Sequence, residues 1–393
     1  MNIINMCNDS ATYSSLRNSR DSQAVRYNKN VKPFGQNTIA EDTSPYLEYR
    51  LPRDSGAILD GHNMVHYFKC GTDVAGVHDN IASIWRSLQV FSGSNEIQNI
   101  REYGHLAVTL DNLHLKSDER NSGSAVVQGI PNLGVTAATQ YGHHVLRDTF
   151  LDTMLPVSEM PQLRVQWELN QSLAQHTEAP SGQAVSTLDI TVPEMKCPYV
   201  KDPKMMEKIK SGPYQFHFRD YDYFTNTASS SATTASYVVQ TSHKSVSGLI
   251  LVMRANTTLA NADLADKYQN QNVFNLSKFQ IVIDGQPIPQ EQVSCERGVR
   301  LYHYLEEFAG GKEHVGEWFD GDYDGTKFVL FFPLNAEPFQ REALSGADIN
   351  SKTGQIEVNL TFASGLAADT TINTFVRYEK VATISNGSLR IEK

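Results

Sequence analysis

The stretch Gln162–Asn170 reads QLRVQWELN, with Leu163, Val165, Trp167 and Leu169 on one side and Arg164, Gln166, Glu168 and Asn170 on the other. Side chains along a strand point to opposite faces in turn, so this alternation predicts a strand with one buried and one wet face. The rhythm returns near the other end, where Ile356, Val358, Leu360 and Phe362 alternate with Glu357, Asn359 and Thr361. Between them lie many similar runs, and almost nothing long and periodic enough for a core helix. The chain reads as a large, mostly antiparallel all-β protein.

Working outward, the first half offers strands at Met64–Cys70, Ile84–Val90, Leu106–Leu110, Leu163–Leu169 and Leu188–Val192, separated by polar turns. Two short helices are expected in this half. One is Glu96–Tyr103, with Ile97, Ile100 and Tyr103 on one side, and the other is Val145–Leu155, with Leu146, Phe150, Leu151 and Met154 in a stripe. Lys201–Gly212, KDPKMMEKIKSG, is charged, holds a short helix and ends in Gly before Pro213, which marks a domain junction. Further strands follow at Tyr214–Phe218, Tyr237–Thr241, Leu249–Arg254, Phe279–Ile283, Lys327–Phe332, Ile356–Phe362 and Thr374–Ile384. Asp284-Gly285 and Asn386-Gly387 are dipeptides suited to tight turns between paired strands.

At 393 residues the chain exceeds the size at which one hydrophobic core keeps growing, so two β domains are expected. The division is an N-terminal flexible arm over 1–45, a first sandwich over 46–205 and a second over 206–393. Up to Pro33 the arm carries Arg17, Arg20, Arg26, Lys29 and Lys32 against Asp9 and Asp21, so it is mildly basic. The whole chain has a formal charge of −10. Elsewhere Lys and Arg are scattered among acids, which argues against nucleic-acid sequence recognition by the body. Cys7, Cys70, Cys197 and Cys295 lie far apart with no CxxC pair, indicating reduced, isolated thiols. The opening MNIINMCNDS lacks the pattern of a signal peptide, and no run approaches the ~20 apolar residues of a membrane helix.

The best local constellation for chemistry is Asp320-Gly321-Asp322-Tyr323-Asp324-Gly325. It matches the first six places of a calcium loop, in which alternate carboxylates converge on a hard cation. The twelfth place is Phe331 instead of Glu, so Asp320, Asp322 and Asp324 are candidate metal ligands set against a plain solvated loop. His62, His66 and Cys70 are spaced by four, but on a strand that spacing covers about 13 Å and cannot close on one zinc. His143-His144 reads as a polar pair at a surface or interface. Glu306-Glu307 reads as a solvated strand edge, because neighbours on a strand point apart and make no glycosidase pair. In Tyr214–Phe224, YQFHFRDYDYF, the alternation sends Tyr214, Phe216 and Phe218 inward. The outward set, His217, Arg219 and Tyr221, is a candidate intersubunit contact. No Walker A turn or G-x-S-x-G elbow occurs, so neither a cofactor nor an enzymatic activity is expected.

Four strings carry a family resemblance: SIWRSLQVFSGSNEIQNIREYGHL at 83–106, FNLSKFQIVIDGQPIP at 274–289, the run from Leu334 to Phe362, and the ending INTFVRYEKVATISNGSLRIEK. They resemble the double jelly-roll major capsid proteins of tailless icosahedral DNA viruses, of the polinton-like virus, adintovirus and virophage type. The likeness covers residues 60–393, and the ending and the DGQPIP turn are its most specific parts. It implies two consecutive jelly rolls with short intercalated helices, standing side by side. It also implies homotrimers forming pseudo-hexagonal capsomers, an icosahedral shell around the genome, and a place in the virion after assembly inside the host cell. Implied partners are other copies of the chain, neighbouring capsomers and minor capsid or vertex proteins, with the arm reaching an internal membrane or the genome. The strand pattern alone also admits a carbohydrate- or receptor-binding sandwich of the spike or lectin kind, which has less use for a basic arm.

Overall fold

The computed structural model describes residues 24–35, 38–40, 46–72, 76–77, 81–114, 139–170, 177–178, 188–256, 276–295, 298–309, 329–335, 344–352 and 354–392. The first half begins with β1 (Val25–Val31), β2 (Thr38–Ala40), β3 (Tyr46–Arg50), β4 (Ala57–Asp60) and β5 (Val65–Thr72). Next come β6 (Gly76–Val77), β7 (Trp85–Ser92), β8 (Asn95–Arg101) and helix α1 (Tyr103–His114). It closes with β9 (Thr139–Val145), β10 (Met154–Leu155), β11 (Leu163–Leu169), β12 (Thr177–Glu178) and β13 (Leu188–Lys201). Helix α2 (Pro203–Lys210) is the joint. The second half runs β14 (Tyr214–Ala228), β15 (Thr234–Gln240), β16 (Val246–Ala255), β17 (Leu276–Ile283), β18 (Gln286–Ser294) and helix α3 (Gly298–Ala309). It ends with β19 (Leu330–Pro333), β20 (Gln355–Phe362), β21 (Thr370–Ser385) and β22 (Ser388–Glu392).

Sheet pairing shows that one plan is used twice. In the first half β13 is central: β1 and β2 line one side, β4 and β5 the other, with β9 and β10 beyond. The facing sheet has the order β3-β11-β7-β8. In the second half β14-β21-β16-β19 faces β15-β20-β17-β18. Strand for strand, β14 takes the place of β1 and β2, β21 of β13, β16 of β5, β19 of β9 and β18 of β8. A helix follows β8 and another follows β18. Two facing antiparallel sheets connected in this order make a jelly roll. Roll 1 runs from Val25 to Lys201 and roll 2 from Tyr214 to Glu392.

The joint is stopped and started by local chemistry. Asp202 caps α2, its carboxylate accepting from the amides of Lys204 and Met205 at 3.1 Å each, and Pro203 supplies the preset first helical position. Met205, Met206 and Ile209 bury the inner face of the helix.

In roll 1 the Trp167 ring stacks on His66 at 4.8 Å and the Trp85 ring lies 5.4 Å from it. Each buried indole removes roughly 200 Å² from water, worth about 5 kcal/mol before entropy is counted. In roll 2, Phe279 meets Phe332 edge-on at 5.7 Å. Helix α3 seats Phe308 on the sheet beside Gly248, where a Cβ would fall 2.8 Å from the ring and from the Phe332 carbonyl oxygen.

Several expectations are corrected. The segment 96–103 is not a helix: Ile97 and Ile100 lie on strand β8, and the helix starts at Tyr103. Residues 106–110 therefore belong to α1, whose residues 103–111 are all buried, so no polar face marks them as helical. Residues 145–155 are not a helix: Val145 ends β9, and the rest are turns and irregular chain plus the short β10. Glu306 and Glu307 sit on α3, not on a strand edge. Residues 25–31 and 38–40, expected in the arm, pair with β13 as the edge of roll 1. The two turn dipeptides behave as expected, with φ of 56° and 72° at Asp284 and Gly285 and 51° and 75° at Asn386 and Gly387.

Candidate functional site

The most heavily engineered region is the seam where roll 1 meets roll 2. Among the described residues one edge of strand β14 has no strand partner, and the turn after β9 straddles it. Asp148 accepts from Arg219 Nη1 at 2.7 Å and from the Tyr221 hydroxyl at 2.9 Å, while Phe150 packs against Phe216 and Phe218 on the opposite face at 5.6 and 5.0 Å. Gln98 of β8 ties the two together. Its amide donates to the Arg219 carbonyl and to Asp220 Oδ1 at 2.8 and 3.1 Å, and its oxygen accepts from the Phe150 amide at 2.8 Å. From α1, His105 Nδ1 accepts from Arg254 Nη2 at 2.8 Å, and its ring meets Phe375 edge-on. The Tyr214 hydroxyl donates to the Met154 carbonyl at 3.0 Å.

Behind the seam lies buried charge. Asp220 accepts from Lys380 and from the Tyr378 hydroxyl, and Asp222 accepts from Tyr378 and meets His243, whose ring stacks on Tyr378. Arg377 is fully buried, donates to Ser247 Oγ at 2.9 Å and lies 3.6 Å over the Phe308 ring. Burial, helped by repulsion from Arg219, pulls its guanidinium down to about 10. Burial also pushes the Tyr221 phenol far up, and Asp148 beside it adds to that. Such groups tolerate burial only with partners in place, so the seam holds the rolls in one orientation.

This geometry revises the outward reading of β14. Tyr221 is 2 % exposed and Arg219 is bound to Asp148, so both serve a contact inside the chain, while His217 is half-buried beside them. Phe216 and Phe218 are buried as expected, but roll 1 helps to cover them. Alternation in the sequence separates two faces without saying what covers either. Asp320, Asp322 and Asp324 lie outside the described residues. Among the described residues no group of three or more His, Cys, Asp or Glu is placed to hold a metal.

The histidines also move. His66 is wholly buried with Nε2 2.7 Å from the Tyr49 hydroxyl, and His144, expected at a surface, is buried on β9 with Nε2 2.7 Å from the Tyr103 hydroxyl. Burial, and after it the neighbouring His144, hold His66 well below the usual imidazole range. His62 instead sits half-exposed against Asp152 at 2.8 Å, a hydrogen bond that raises its pKa. Cys70 is buried, and burial raises its thiol far above the usual range.

A second feature lies on the far side of roll 1. The outer face of its β13 sheet forms an open groove of about 590 Å³, lined among others by Arg26, Asn28, Val65, Tyr67 and Lys196. Tyr67 is 37 % exposed there.

No known family profile and no curated protein matches the chain by sequence. Solved structures match it along nearly its whole length. PBCV-1 VP54, fitted into a cryo-EM reconstruction of the virophage Sputnik, is 13% identical with a TM-score of 0.68 over 95% of this chain and 98% of that one. The Faustovirus major capsid protein is 10% identical, TM-score 0.62, over 93% and 91%. A chain of the Sputnik virophage structure is 14% identical, TM-score 0.60, over 94% and 88%. The fold is a double jelly roll.

Proposed function

We propose that this chain is a major capsid subunit whose trimers tile an icosahedral shell. The observation that carries the reading is the seam. It joins two rolls of identical strand order by unlike faces, the β8 side of roll 1 against the β14 side of roll 2. Contacts between unlike faces are heterologous, and repeated around an axis they close into a ring. Three chains then supply six rolls in a pseudo-hexagonal tile. The full-length likeness to capsid proteins of PBCV-1 and Faustovirus supports this reading. The role is structural and places the protein in the virion. Its partners are further copies of itself, with minor capsid or vertex proteins joining the shell. The N-terminal arm ahead of β1 meets an internal membrane or the genome.

The test is the mass and shape of the purified protein. Sedimentation should give a species three times the 43.8 kDa chain, and negative-stain images should show flat six-lobed particles. A monomer at every concentration tried would overturn the proposal.

A further inference from the structure

The inward faces of β5 and β9 meet at a cross-strand pair of histidines. His66 and His144 lie opposite each other in the β5–β9 register, and both are buried in the core of roll 1. Trp167 lies against both rings, stacked on His66 at 4.8 Å and edge-on to His144 at 6.0 Å. The matching strands of roll 2 place Leu249 opposite Phe332 and Leu251 opposite Leu330, all of them buried. A roll of this plan therefore closes its core without a polar group at that place. Buried polar atoms cost free energy unless each finds a partner, so the pair is a weakness that roll 2 does without.

Each ring uses Nε2 on a tyrosine hydroxyl at 2.7 Å, His66 on Tyr49 of β3 and His144 on Tyr103 of α1. Nδ1 of His66 is buried and has no hydrogen-bond partner among the described residues. A charged imidazole carries a hydrogen on both nitrogens, so protonated His66 would bury an N–H with nothing to accept it. Its neighbours offer little relief: Phe68 on its own strand, Trp85 from β7, Trp167 from β11 and Met195 opposite it on β13. Around Tyr49 stand half-exposed Glu194 and Cys197, whose thiol burial pushes up to about 12. Around Tyr103 stand Asp111, Asp152 and Arg147. Both aspartates are engaged, Asp111 with Arg147 at 3.4 Å and Asp152 with His62 at 2.8 Å. Burial, and then repulsion from the second imidazole, hold His66 well below the usual imidazole range.

We propose that the His66–His144 pair is an acid trigger that opens roll 1 and loosens its hold on roll 2. The open chain accepts protons that the closed core refuses, so acid shifts the balance toward opening. The shift is about tenfold per pH unit below ~6.5 for each histidine involved. The opening has a route to the seam. Tyr103, the partner of His144, is the first residue of α1, and His105 on the same helix is held by Arg254 of roll 2 at 2.8 Å. In a shell of such subunits an acidic compartment would loosen every tile at once, a consequence that rests on the capsid reading above.

Hydrogen exchange on the full-length protein, corrected for the pH dependence of intrinsic exchange, reads the opening directly. Protection of the β5, β9 and α1 amides should fall at least tenfold from pH 7 to 5.5, while β16 and β19 keep theirs. His66→Gln combined with His144→Gln keeps a hydrogen-bonding amide at each place, removes both titrations and should abolish the fall. No loss in roll 1, an equal loss in both rolls, or an unchanged loss in the double variant would overturn the trigger. Should the double variant not fold, the comparison of the two rolls in the unsubstituted chain decides alone. Sedimentation of the same samples keeps the two readings apart: a monomer that loses protection in roll 1 with acid would overturn the capsid tile and leave the trigger standing.

Discussion

Rolls 1 and 2 are built on one plan, yet equivalent surfaces meet opposite fates. The outer face of the β14-β21-β16 sheet carries Arg219, Tyr221, Arg254 and Arg377 and is buried. The matching face of roll 1 carries Arg26, Tyr67 and Lys196 and is open. Polarity is therefore no guide to exposure here. What decides burial is what lies alongside: among the described residues roll 1 and the Phe308 ring of α3 cover the face in roll 2, and the groove in roll 1 stays open. The contrast is testable pair by pair: a substitution at the seam should cost folding, and its counterpart should cost only assembly.

The largest effect is expected at the two connections between sheets. Phe150→Ala empties a fully buried site between Phe216 and Phe218 and should cost about 3–5 kcal/mol in urea unfolding. Leu344→Ala, on the connection after β19, should stay within about 0.5 kcal/mol because half of that side chain is already in water. Equal costs would break the comparison.

Next comes the buried charge. Asp148→Ala strands the Arg219 guanidinium and the Tyr221 hydroxyl together, and should cost about 2–3 kcal/mol at neutral pH. The pair is only partly shielded, Arg219 and Asp148 being 25% and 14% exposed, which keeps the figure below that of a sealed pair. Truncating both sides, as Asp148→Ala with Arg219→Met, should recover part of the loss, measured as a double-mutant cycle. Full additivity would show that the two residues do not act together.

Much of this was legible in the sequence, and the misses have a common cause. Strands β11 and β20 announced themselves because each has one wet face and one dry face, burial alternating residue by residue. The hairpins at Asp284-Gly285 and Asn386-Gly387 were legible because left-handed φ at both turn residues demands that chemistry. Helix α1 was not, since residues 103–111 are buried on every side and its periodicity is erased. The seam residues were seen as a set on one face of β14, but their partners, Asp148 and Gln98, lie 71 and 121 or more residues away and leave no local mark. Buried His144 was missed for the same reason, its partner Tyr103 being 41 residues distant.

A smaller effect follows from His66. Its folded pKa is held below the ~6.5 of an unfolded histidine, so the unfolded chain takes up a proton first as pH falls. Its contribution is complete above pH ~6.5 and is lost below it, at about 1.4 kcal/mol per pH unit. Melting should therefore drop between pH 7 and 5.5, and His66→Gln should flatten that slope while lowering the plateau. His62 acts with the opposite sign: its pKa is raised by Asp152, so its help is full below pH ~6.5 and fades as pH rises through the folded value. An unchanged acid slope in His66→Gln would show that His66 does not carry the sensitivity.

The smallest effect tests whether the rolls unfold together. Gly93 and Gly285 occupy the same hairpin in rolls 1 and 2, at φ 61° and 72°. A Cβ on Gly285 would touch nothing within 4 Å, and one on Gly93 would only graze the Pro161 Cβ at 3.6 Å. Alanine at either site therefore meets no clash, and the cost is the left-handed backbone itself, about 1 kcal/mol. Because the seam welds Gln98, Asp148 and His105 of roll 1 to roll 2, each substitution should lower one shared calorimetric transition, and the pair should add. Two separated transitions, each answering to only one glycine, would mean that the seam orients the rolls without coupling their stability.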